Sequence, residues 1–151
     1  MFKINLKRAE RKVLPAGDYV VNVVVSELRE SQADLDKVEA GDLSEDEVSQ
    51  VLHLEFLPDK EIHPEFEGAR LFDNRSLKEG SWFRIVELME AVTGSGLEAE
   101  NEEGDLDIDE DELVGKRVGV SVIVDEEYDP KSPRNRIEGY FYPEEASPEE
   151  S

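Results

Sequence analysis

The sequence predicts a mainly β protein: a five-stranded barrel of the OB type with one helix between the third and fourth strands, carrying acidic loops and an acidic tail. Three observations predict it. Runs in which apolar and polar residues alternate recur five times along the chain. One run of helical period separates the third from the fourth. The acidic residues gather in segments too poor in large apolar side chains to form core elements. Other small α+β folds share the order of three strands, a helix and two strands, so the order alone leaves the architecture open. At 151 residues the chain is about one domain's worth. Residues 1–18 read as a basic arm and lead-in, 19–143 as the domain with insertions at about 29–49 and 95–112, and 144–151 as an acidic tail expected to be disordered.

Each element follows from its own residues. After the basic arm, Pro15 and Gly17 mark a turn, and a strand runs over about Tyr19–Leu28. SQADLDKVEAGDLSEDEVS is expected to be a long loop with at most a helical turn. In VLHLEFL, Leu52, Leu54 and Phe56 share one face and Val51, His53 and Glu55 the other, the pattern of a second strand. A third is placed at about Ala69–Asn74. The spacing of Trp82, Ile85, Val86, Met89 and Val92 predicts a helix over 82–93, stopped by Gly94, with Trp82 as a core anchor. SGLEAENEEGDLDIDEDE is expected to be loosely packed or disordered. Val118, Val120, Val122 and Val124 define a fourth strand, and NRIEGYFYP the fifth.

The formal net charge is −22, a sign that repels phosphate at long range. Its distribution is uneven. Residues 27–47, 98–112 and 144–150 hold nine, ten and four acids, 23 of the 39, opposed only by Arg29 and Lys37. The remainder has 16 acids against 15 bases, so the body is close to neutral. The chain has no cysteine, no apolar stretch resembling a signal peptide and no membrane-length apolar run, which together suit a soluble cytoplasmic protein without disulfides.

Strand alternation then yields a candidate surface. On the third strand Arg70 and Phe72 share a polar face, with Arg75 just beyond. On the fifth, Arg134, Arg136, Glu138, Tyr140 and Tyr142 share one face and Ile137 and Phe141 the other, with Lys131 just ahead. Cations that track phosphates and rings on which bases stack are what single-stranded nucleic acid requires. Lys7, Arg8, Arg11 and Lys12 of the arm, beside Lys3, add positive charge. Structural readings stand beside this one: the tyrosines pack on the barrel's end, Arg134 and Arg136 pair with Glu138 or neighbouring carboxylates, and a bulge exchanges the faces at Phe72.

Catalysis has little support in the sequence. His53-Leu54-Glu55 matches the H-x-E of nucleobase deaminases, but the cysteines of that signature are missing. Asp105, Asp107 and Asp109 alternate as in a calcium loop, yet Glu110 stands where glycine is needed and Lys116 where the bidentate glutamate belongs. No phosphate-binding loop or dinucleotide fingerprint occurs. The expectation is a non-catalytic protein without metal or cofactor.

LPAGDY, LHLEF, FEGARLFDNRSL, LVGKRVGVSV and EYDPKSPRNRIEGYFYP, in this order, resemble a family of small bacteriophage proteins associated with phage replication and recombination and similar to single-stranded-DNA-binding proteins of OB type. The resemblance implies single-stranded DNA as ligand, an infected bacterial cell as location, and replication or recombination proteins as partners of the acidic segments. The alternative is an acidic protein-interaction module on the same barrel, with no nucleic-acid affinity.

Overall fold

β1 (Gly17–Glu30) starts as an alternating strand and then changes step. In the computed structural model, which describes residues 1–6, 13–126 and 133–143, Tyr19, Val21 and Val23 point into the core. Val24 is skipped in the ladder with β2 (Gln50–Pro58), since Val23 faces Phe56 and Val25 faces Glu55. This extra residue is a β-bulge that exchanges the faces, so that Ser26 rather than Val25 turns inward. The bend lets one long strand serve two neighbours: Gly17–Asn22 pair with β4 (Arg117–Asp125), and Val21–Glu30 pair with β2.

β3 (Leu71–Ser76) pairs with β2 and β5 (Arg134–Phe141) with β4, giving one antiparallel sheet in the order β3-β2-β1-β4-β5. Among the described residues the strands number five, as do the alternating runs. The backbone ladder is open between β3 and β5. Side chains connect these edges instead. The Tyr140 hydroxyl donates to Asp73, and the Arg75 guanidinium lies 5.3 Å over the Tyr140 ring.

Among the described residues two α-helices accompany the sheet, where hydrophobic period predicts one. α1 (Gln32–Glu39) lies in the first acidic insertion. Ser31 caps it by accepting from the Asp34 amide, and the Asp34 carboxylate accepts from the Ser49 amide at 2.9 Å and the Ser49 hydroxyl at 2.5 Å. These local bonds stabilise a helix with almost no apolar face, which is why hydrophobic period misses it. α2 (Trp82–Thr93) has the expected bounds and ends at Gly94, whose φ of 77° lies in the left-handed region. Its buried side is Ile85, Leu88 and Ala91, rotated from the expected stripe, and Trp82 and Val86 are exposed. Trp82 is therefore no core anchor.

The core joins this helix face to the inward rows of all five strands, with Phe56, Leu54, Leu71, Val21, Val118 and Val120 essentially inaccessible. Leu14, also fully buried, is held by its backbone: its N–H donates to Asn135 Oδ1 and its carbonyl accepts from Asn135 Nδ2, both at 2.8 Å. The lead-in is thereby anchored beside the start of β5. The second insertion is tied down at its end, where Leu113 is buried and the Gly115 amide donates to the Val23 carbonyl at 2.8 Å. Among the described residues no helix is long and apolar enough to cross a membrane.

Candidate nucleic-acid interface

The regular pairing of β1, β2 and β3 beyond the bulge lines up side chains on the outer face in three rows: Val25–Glu55–Phe72, Glu27–His53–Asn74 and Arg29–Val51–Ser76. Phe72, the second residue of the edge strand β3, is 53% exposed on the outer face. Arg70, on the same face, has a partly exposed side chain and pairs with Glu55 at 2.6 Å. Both residues lie where strand alternation puts them.

Between them lies a frame that alternation does not reveal. His53 faces outward yet is buried, because Asn74 and Glu55 close over it: Nδ1 is 2.7 Å from Asn74 Oδ1 and Nε2 is 2.9 Å from Glu55 Oε2. Its ring centroid is 6.4 Å from that of Phe72. The hydrogen bond from His53, aided by Arg70 and opposed by burial, holds the Glu55 carboxyl below its usual range. Glu55 is thus an ionised tether linking His53 to Arg70. With both ring nitrogens engaged, His53 serves to position its neighbours. The H-x-E triplet is the visible signal of this frame, since alternation places residues 53 and 55 on one face.

On β5 the assignment of faces needs correction. Val122 faces Ile137 and Ser121 faces Gly139, so Glu138 is an extra residue in the ladder. This second bulge brings Ile137 and Tyr140 to the same, inward side. Tyr140 is 8% exposed and packs against Phe56, with ring centroids 6.0 Å apart. Burial, reinforced by the Asp73 charge, pushes its hydroxyl well above the usual tyrosine range. Arg75 is likewise corrected: it follows Leu71 and Asp73 on the inward parity of β3, and its side chain is only 12% exposed, 2.7 Å from Asp73. Neither residue offers a surface to a base or a phosphate.

Of the remaining predicted residues, those on β5 lie at the opposite edge of the sheet from Phe72. Arg134 and Arg136 stand on the outer side of β5, before the bulge; Arg136 is well exposed, with Asp125 at 3.8 Å. Tyr142 is half-exposed and leans on the end of α2, so close that a Cβ on Gly94 would sit 2.8 Å from its ring. It borders an open groove of about 400 Å³ between α2 and β5, lined also by Phe83, Val86, Glu87, Glu90, Ala91 and Phe141. Lys7, Arg8, Arg11, Lys12, Lys131 and the tail 144–151 lie outside the described residues. Among the described residues no group of three acidic or histidine side chains is arranged to hold a metal ion.

Comparison of the chain with known protein families and with characterised proteins finds no match.

Proposed function

We propose that the chain is a non-catalytic single-stranded-DNA-binding protein that uses the outer face of β2 and β3. The exposed ring of Phe72 carries this reading, because it stands beside Arg70 on the outer face of β3, which is stiffened by His53, Glu55 and Asn74. A base stacked on such a ring contributes about 1–3 kcal/mol, and a neighbouring guanidinium supplies a phosphate contact. The strand order supports a barrel of OB type, with β3 and β5 meeting through Tyr140 and Asp73. In that architecture the face of strands 2 and 3 and the loops joining strands 1–2 and 4–5 receive oligonucleotides. Lys131 belongs to the second of these loops by sequence. Leu14, two residues after the basic arm in sequence, is clamped by Asn135 next to Arg134 and Arg136. The motif resemblance to bacteriophage replication and recombination proteins points to the same ligand.

Titration of labelled oligo-dT at roughly 50 and 200 mM salt tests the proposal. Affinity should fall steeply with salt, and deletion of residues 2–12 should weaken binding and flatten the slope by about 0.7 for each phosphate that the arm no longer neutralises. Equal affinity for duplex, or no binding at the lower salt, would remove the reading. A second reading is favoured by the groove between α2 and β5. Its apolar side chains, with Glu87 and Glu90 among them, suit a basic, apolar peptide of a partner protein.

A further inference from the structure

Trp82 is the only tryptophan of the chain, and 54% of its surface is exposed at the first position of α2. Its indole N–H donates to the Leu77 carbonyl at 2.8 Å. That bond uses the ring's one polar atom and fixes its orientation, leaving a large apolar face in water. Leu77 directly continues β3, and its amide donates to the Gln50 carbonyl at 3.1 Å. Trp82 is therefore tied to the end of the sheet where the outward row Phe72, Asn74, Ser76 finishes. Five residues of strand rise, about 17 Å, separate Phe72 from Leu77. The intervening connection carries Lys78, whose side chain is 61% exposed and whose ammonium lies 3.8 Å from Asp34 of α1.

A fixed aromatic face with an exposed cation beside it, at the end of the strand that carries a second exposed ring, is an arrangement that a flexible strand of bases and phosphates can follow. We propose that Trp82 is a second base-stacking platform and that Lys78 contacts the phosphate leading to it, extending the single-stranded DNA path from Phe72 across the end of β3. The inference rests on the single-stranded-DNA reading above and adds residues to it.

Because Trp82 is the sole tryptophan, emission excited selectively from tryptophan reports this position alone, while anisotropy of labelled oligo-dT reports binding anywhere on the protein. The two signals should saturate together, with Trp82 emission quenched. Trp82→Ala should raise Kd roughly 5- to 150-fold without altering the salt slope, as expected for stacking, and Trp82→Phe should recover most of the affinity. Lys78→Ala should instead lower the slope by about 0.7. Should Trp82→Ala fold poorly, wild-type quenching and the affinity of Trp82→Phe decide the matter. Anisotropy binding with unchanged emission and full affinity in Trp82→Ala would overturn the inference and leave the DNA reading standing. No anisotropy change with wild-type protein would remove both.

Discussion

A phenol whose hydroxyl is held by a carboxylate and whose ring lies under a guanidinium has no face left for a base, and Tyr140 is in that position between Asp73 and Arg75. Its role is to tie β3 to β5. Tyr140→Phe should cost about 1–3 kcal/mol, since Asp73 would lose one of its two buried partners, and Tyr140→Ala about 3–5 kcal/mol. Neither loss should be specific to DNA binding, and urea unfolding measures both. Phe72→Ala should do the opposite, leaving stability within about 0.5 kcal/mol while weakening oligo-dT binding roughly 5- to 150-fold. The different fates of two aromatics have a simple cause. β2 and β3 pair without interruption, so period-two reading places Phe72, Arg70 and His53 on the outer face. β5 contains a bulge at Glu138, and alternation carries no signal for an added residue, so a period-two reading puts Tyr140 on the wrong side.

At the scale of elements, α1 shows what hydrophobic period overlooks. Ser31 and Asp34 form the S-x-x-D pattern that opens a helix, and this signature is legible in the sequence. Period gives it no support, because the helix has no apolar stripe to accompany it. The bonds from Ser49 hold the Asp34 carboxyl below its usual range, so Asp34 belongs to the framework of the loop. Asp36, Glu39, Asp42, Glu45 and Asp46 are instead exposed. Converting these five to Asn or Gln, with Asp34 kept, should raise oligo-dT affinity more than deleting residues 144–151 does. This follows from the position of α1 beside Lys78, at the end of β3. The gain should shrink near 1 M salt, where the Debye length falls to about 3 Å. Period and the Gly94 stop place α2 correctly, but its buried face is turned from the expected stripe, which exchanges Trp82 for Leu88.

The whole molecule combines a nearly neutral body with acidic attachments, and its stability should respond to pH at both extremes. Asp59 is buried after β2, which alone would raise its pKa, but the Glu61 amide, Asn22, Arg117 and the Ile62 amide together hold it below 3.8. Glu55 is similarly held below 4.5. For both, the unfolded chain takes up protons first as pH falls, so their contribution is complete above the unfolded values and is lost as pH drops through the lower folded ones. Tyr140 has the reverse sign: the folded state keeps its proton beyond 10.0, and stability should fall as pH rises above that value. Thermal melts across pH should therefore show a plateau between about 5 and 9, with losses on both sides. Amide chemical shifts of the labelled protein, recorded as oligo-dT is added, map the proposed path of single-stranded DNA. They should concentrate at Arg70–Asn74 and at residues 53–55, extending to Lys78 and Trp82. Shifts confined to the groove between α2 and β5, or none at saturating oligo-dT, would overturn the proposal.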